Sequence, residues 1–313
     1  MHCALLPTPI GLNAAIRSPY RQAPKASLAA EFSIGEDVVT FSVLTLNLWN
    51  INEPLEPRYR ALEKGLKALR PDIVCLQEVF RDPKSARNQS ELVAEMCGLP
   101  NVVERNGLAT ISRYRIVRSR STRLPEFPGD APRQALLVEL SIEKRPVVVA
   151  NTHLAYPPEM VRERTVQAGA VMAAIKRYRP TGRKIAKLLC GDFNDVGESP
   201  AVRTVLNSGE NFRDAYAECN PGSPGITYSC KENRYVDPVW TVDARIDYIF
   251  ASPELTSKAC AVVFDGRNKL DLVSDHYGVF CALTFREGRR VSRQRKIGRG
   301  TPLRTRRGKR RQS

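Results

Sequence analysis

Histidine is scarce in this chain. Only His2, His153 and His276 occur among 313 residues, so imidazole chemistry has few places to come from. It is the one side chain whose ordinary pKa lies near neutrality. The eight cysteines include no C-x-x-C pair, which argues against a structural zinc site. Cys75, Cys190 and Cys281 lie in apolar, strand-like runs, where a free thiol acts as a small hydrophobe. Cys219 and Cys230 flank a Pro/Gly-rich loop and form one candidate pair, but the expectation is a reduced, cytoplasmic protein. No apolar run approaches the ~20 residues that span a bilayer. Pro7, Pro9, Asn13 and Arg17 interrupt any signal-peptide core. Acids are absent before Glu31, as in a weak transit peptide, but the reading adopted for 1–37 is a disordered segment.

Acidic residues are also missing from the other end. Residues 286–313 hold thirteen Lys and Arg and one acid, Glu287. Twelve of the sixteen net positive charges therefore sit there, and the rest of the chain carries only four. A segment with so few apolar groups cannot offset its ordering entropy, so 287–313 is expected to be a disordered basic tail. Its partner classes are nucleic acid, through phosphate neutralisation, or an anionic membrane surface. The remaining composition, 42% hydrophobic and 26% charged over the whole chain, suits one large α/β domain over 38–286, expected as a monomer.

Hydrophobic periodicity places strands at 40–49, 72–79, 108–112, 116–121, 134–142, 146–152, 185–190, 246–251, 260–264 and 279–285. Helices are expected at 57–69, 90–97 and 158–178, the last with Val161, Thr165, Ala168 and Met172 on one face. Ser199-Pro200 reads as a helix start, with the hydroxyl as cap and proline at the first position. Residues 219–240 read as a long polar loop. The order is strand, helix, strand, helix, a group of strands, then roughly the same again. Strands apolar throughout imply sheets covered on both faces.

The polar residues worth attention share one kind of place. Asn47, Glu78, His153, Asp192, Asn194 and His276 each fall at or just past the end of an apolar strand. Ligand sites form where strand ends and their loops converge. These residue types bind hard cations and move protons.

Six strings occur in order: L-T-L-N-L-W-N, V-C-L-Q-E-V, N-T-H-L, C-G-D-F-N-D, R-I-D-Y-I-F and S-D-H-Y-G-V. Together they resemble the endonuclease/exonuclease/phosphatase superfamily over about 41–285. N-T-H-L, in place of a tyrosine-bearing string, resembles the deoxyribonuclease, phosphatase and neutral sphingomyelinase branches. The resemblance implies a four-layer α/β sandwich, two packed mixed β-sheets flanked by helices. It also implies a Mg²⁺-dependent phosphoester hydrolase, with Mn²⁺ as the substitute cation. Asp247 matches the family position that pairs with the His276 histidine. His153 matches the histidine that binds phosphate or protonates the leaving oxygen.

The residues make chemical sense of that likeness. Phosphodiester hydrolysis needs a cation for the non-bridging oxygens, an activated water and a proton for the leaving group. Glu78 offers a carboxylate and Asn47 a carbonyl oxygen, and Asp275 is expected on the metal side; Mg²⁺ needs few protein ligands. His276 can take or orient a proton if a carboxylate fixes its tautomer. Asp192 and Asn194, two apart, project together if extended and suit binding the phosphate or orienting the nucleophile. Arg133 is a candidate phosphate contact through its planar fork. His153 and His276 are the imidazoles expected to titrate near neutrality within the site. The preferred substrate is nucleic acid. The alternatives are a sphingomyelinase-like phospholipid or small-phosphoester hydrolase, and a basic binding protein with a vestigial site.

Overall fold

The computed structural model describes residues 39–81, 86–179, 185–237 and 242–286. The expectations for 1–37 and 287–313 lie outside them. Two six-stranded mixed sheets stack face to face. The first runs β13 (Leu255–Val263), β14 (Gly278–Phe285), β1 (Thr40–Asn47), β2 (Ile73–Gln77), β4 (Leu108–Ser112) and β3 (Asn101–Arg105). The second runs β5 (Ile116–Arg123), β6 (Gln134–Ile142), β7 (Arg145–His153), β8 (Ala186–Asp192), β12 (Asp247–Ala251) and β9 (Arg213–Asp214). A two-stranded ribbon, β10 (Tyr228–Ser229) with β11 (Asp243–Ala244), forms a third small sheet, bridged at Tyr228 to His276.

Alternation along the strands builds the layers. Val43, Cys75, Val138, Val149, Leu188 and Ile249 face the gap between the sheets. Their neighbours Leu44, Val74 and Leu76 turn outward to α1 (Leu55–Leu69) and α2 (Gln89–Cys97). Leu137, Val148 and Leu189 turn outward to α3 (Val161–Arg177) and α4 (Pro200–Leu206). The central strands therefore bury both faces, which is why their runs are apolar throughout, whereas the edge strand β5 is largely exposed. The expected four-layer sandwich is what forms.

Each sheet has one parallel pair near its centre, β1 with β2 and β7 with β8. Helical crossovers join them, so both pairs end at the same edge of the sandwich. A buried polar bridge ties the sheets there. Gln77 Nε2 donates to Asn151 Oδ1 at 2.7 Å, and Asn151 Nδ2 donates to Leu76 O and Ala109 O, each at 2.9 Å. Gly191 has φ +147°, and a Cβ there would sit 2.0 Å from Thr152 O. Only glycine lets β8 approach β7 so closely just before Asp192.

Several local expectations are corrected. The strand β3 falls in a segment whose sequence gave no strand pattern; its pairing with β4 supplies what its own residues do not. Within the expected loop 219–240, β10 forms against β11. Helix α3 begins at Val161 rather than 158, and its buried face carries Arg164 and Gln167, while Val161 is exposed. Cys281 is not a free thiol: it forms a disulfide with Cys260, its neighbour across β13 and β14. Cys219 and Cys230, the candidate pair, are both free. Ser199 caps α4 as expected, its Oγ accepting from Val202 N–H at 3.3 Å.

Candidate active site

Parallel register sets the centre of the site. β7 and β8 place His153 beside Asp192, and β12 places Asp247 on the other side of Asp192. Asp192 is fully buried. Its Oδ1 accepts Asn194 N–H at 2.8 Å. Its Oδ2 accepts from Asn47 Nδ2 at 3.0 Å and lies 3.4 Å from His153 Nε2 and 3.7 Å from His276 Nε2. The one carboxylate thus touches both sheets and faces both histidines.

Asn47 crosses between the sheets. Its Nδ2 also donates to Glu78 Oε1 at 3.2 Å, while its Oδ1, expected to face a cation, accepts Trp49 N–H at 2.9 Å. Glu78 follows the end of β2 with φ +52°. Left-handed backbone at a non-glycine residue is costly and clusters at functional sites. Asn194 shares that conformation at φ +49°; its Nδ2 reaches His153 Nε2 at 3.0 Å and Leu154 O at 3.1 Å.

His276 lies on the loop before β14. Its Nδ1 is 2.9 Å from Asp247 Oδ2, and the Tyr228 ring packs edge-to-face with it at 5.1 Å between centroids. Burial works against the charged imidazole, but Asp247, Asp192 and Asp275 outweigh it and hold its pKa well above the ordinary value. His153 goes the other way. Burial holds it down to about 4, against the pull of Asp192 and with help from Arg133. The two near-neutral titrations expected from the sequence are therefore both displaced. Asp275 is pushed up to about 6 by burial, with His276 opposing and Glu78 and Asp192 adding to it.

The reactive groups open on two cavities. The larger, about 1160 Å³, is bordered by Glu78, Asp275, His153 and Arg133. The smaller, about 270 Å³, shares Glu78, His153 and Asp275 with it and adds Asp192, Asn194 and His276. All the residues singled out in the sequence thus converge, except that Asp247 and Asn47 stand behind this surface. Arg133 is no loose surface group. It forms a two-point pair with Asp130 at 2.9 and 2.6 Å, with its side chain 11% exposed.

Three contributors escaped the sequence reading. Tyr228 sits in what looked like a loop. Asn233 holds the Asp275 and His276 segment, donating from Nδ2 to Ser274 O at 3.0 Å and Asp275 O at 2.9 Å. Arg164 is buried in α3 and ties two loops: Nε donates to Asp195 Oδ2 at 3.0 Å, Nη1 to Pro157 O at 2.7 Å, and Nη2 to Pro158 O at 3.0 Å. Asn233 lies in the run K-E-N-R-Y-V at 231–236, a polar string that could have marked it; nothing local marked Arg164.

The donor set can be tested against a hard cation. Asp192, Asp247 and Asp275 act on the His276 imidazole, and Asp247 Oδ1 is buried with no hydrogen-bond partner among the described residues. Asp192, Asp247 and His276 bring ligand atoms within 4.8 Å of one another, but His276 Nδ1 is committed to Asp247 and all three are buried. Mg²⁺ keeps several waters and needs few carboxylates. Glu78 and Asp275, the carboxylates that border both cavities, fit it better than the buried trio.

The chain is 24% identical over 237 residues to 2',5'-phosphodiesterase 12 of Rattus norvegicus, covering 63% of this chain and 39% of that protein. It is 25% identical over 259 residues to Nocturnin of Rattus norvegicus, covering 74% and 59%. The chain thus matches less than two thirds of either relative's length. The structure of D. rerio TDP2 complexed with single strand DNA product superposes with a TM-score of 0.64 at 20% identity, covering 78% of this chain and 98% of that one; it shares the fold. The model of the Endonuclease/Exonuclease/phosphatase family matches residues 44–276, most of the chain, and the chain belongs to that family.

Proposed function

We propose that the protein is a divalent-cation-dependent phosphodiesterase acting on nucleic acid. One observation carries the reading: Asp192 Oδ2 lies 3.4 Å from His153 and 3.7 Å from His276, and His276 is backed by Asp247 at 2.9 Å. Carboxylate, neutral imidazole and charged imidazole converge at an open cavity. That is a set for moving a proton and meeting a phosphoryl group.

Glu78 and Asp275 would hold the cation, with Asn47 fixing Glu78 through its amide. When bound, Mg²⁺ or Mn²⁺ would neutralise charge on the non-bridging oxygens. Asp192 accepts the proton that the attacking water loses. His276, kept charged by Asp247, balances the negative charge that accumulates on phosphoryl oxygen. His153 is neutral, with Nε2 accepting from the Asn194 amide, and borders both cavities at the place where the phosphate would sit. Arg133, paired with Asp130, borders the larger cavity as a weaker phosphate contact. The relative named as a 2',5'-phosphodiesterase and the TDP2 structure with a DNA product support nucleic acid as the substrate class.

The test is purified protein with Mg²⁺ or with EDTA against single-stranded DNA, RNA, plasmid, sphingomyelin vesicles and bis-p-nitrophenyl phosphate. Cleavage of a nucleic acid that needs both Mg²⁺ and His276 is expected. Turnover that persists in EDTA, or in His276→Ala, would overturn the reading; preference for the vesicles would replace the substrate class.

A further inference from the structure

Six large hydrophobic side chains are exposed among the described residues: Phe80, Tyr156, Val161, Val166, Val196 and Val242. Four of them border the cavities that meet at the reactive cluster. Phe80 borders the larger, Val196 and Val242 the smaller, and Tyr156 both. Single exposed apolar residues need no explanation. Their concentration around one site marks a surface that contacts a ligand.

The smaller cavity has apolar walls at Pro158, Val196, Ala244 and Ile246, beside His153 and His276. Those walls are held in place. Arg164 donates to Asp195 at 3.0 Å, next to Val196, and to Pro158 O at 3.0 Å, so one buried guanidinium fixes both sides. At about 270 Å³ the space falls below the ~300–1,000 Å³ typical of sites for drug-sized ligands, and it fits one small ring system.

We infer that this cavity binds a single nucleobase carried on one side of the scissile phosphate, which makes unstacked, single-stranded nucleic acid the preferred substrate. The inference rests on the phosphodiesterase reading above and narrows it. A phosphate meeting His153, which borders both cavities, has one of them open to each of its two ester groups. Apolar walls favour a flat uncharged ring over sugar or phosphate. A base can enter only by leaving its stack, which costs a duplex more than a single strand.

Two measurements test it. The first is anisotropy of labelled short oligothymidylate, and of the matching duplex, in EDTA, where turnover plays no part. The second is Mg²⁺-supported hydrolysis of thymidine 5′-p-nitrophenyl phosphate against methyl p-nitrophenyl phosphate. Wild type should bind the single strand more tightly than the duplex and prefer the thymidine ester. Val196→Asn should weaken single-strand binding about tenfold and lose most of the ester preference. Val166→Asn, at a valine 44% exposed on α3 that borders neither cavity, should match wild type. Equal loss in both variants, no loss in Val196→Asn, or tighter duplex binding would overturn the inference. If both esters are cleaved alike and Val196 is indifferent, the pocket falls and the hydrolase stands. If neither ester is cleaved while binding still depends on Val196, the hydrolase falls and the pocket stands.

Discussion

Asn194 brings its side-chain amide to 3.0 Å from the Nε2 of His153. An amide N–H at that position requires a lone pair on Nε2, so the imidazole carries its proton on Nδ1 and stays neutral. The contact and the burial of His153 agree, since burial holds its pKa to about 4.

The pH dependence of stability follows with a definite sign. The unfolded chain takes up a proton at His153 near its ordinary value of 6.5, which the fold refuses until about 4. The contribution of the neutral residue is therefore full above 6.5 and is lost as pH falls toward 4, about 3 kcal/mol at most. His276, raised in the fold, contributes in the opposite sense, and its part is lost as pH rises. His153→Gln keeps an oxygen for the Asn194 amide and removes the titration. Melting curves from pH 7 to 4 should show wild type losing ground to His153→Gln on acidification; parallel curves would refute the neutral histidine.

Asp247→Asn is nearly isosteric and removes the charge 2.9 Å behind His276. The variant should fold, lower kcat by about 100-fold or more, and leave KM within a few-fold. The His276 resonance should titrate at lower pH than in wild type, as followed by NMR. An unchanged titration would separate Asp247 from His276.

Cation binding should appear as stability. A ligand that binds only the folded state adds about 2.7 kcal/mol at a hundred times its Kd. Saturating Mg²⁺ should raise Tm by several degrees, EDTA should reverse this, and Glu78→Gln should lose most of the gain. A full gain in Glu78→Gln would move the cation to other ligands.

Arg164→Met keeps the buried stem and deletes the head that pairs with Asp195 at 3.0 Å. Asp195 would then be left buried and unpaired, a loss of about 3–5 kcal/mol measurable by urea unfolding. Arg164→Lys should recover only part, because an ammonium cannot bond Asp195, Pro157 and Pro158 in one plane. Wild-type stability in Arg164→Met would show the pair to be incidental.

What the sequence determined was local. The apolar runs set where β4 and β6 begin and end, and Ser199 with Pro200 set the start of α4. The strand-end strings marked Asn47, Glu78, His153, Asp192, Asn194 and His276, because each polar residue interrupts an apolar run and that contrast is visible along the chain. Tertiary structure decided what those residues meet. Asn47 and Asp192 are 145 positions apart and join at 3.0 Å only because the sheets stack. Arg164 looks like a solvent-facing helix residue until Asp195 and the carbonyls after His153 arrive to satisfy it. The edge strand β3 takes its form from β4, and Cys260 finds Cys281 through the register of β13 with β14. The opposite pKa shifts of the two histidines have the same origin. Burial, partner charges and hydrogen bonds act through space, and residues distant in the chain supply them.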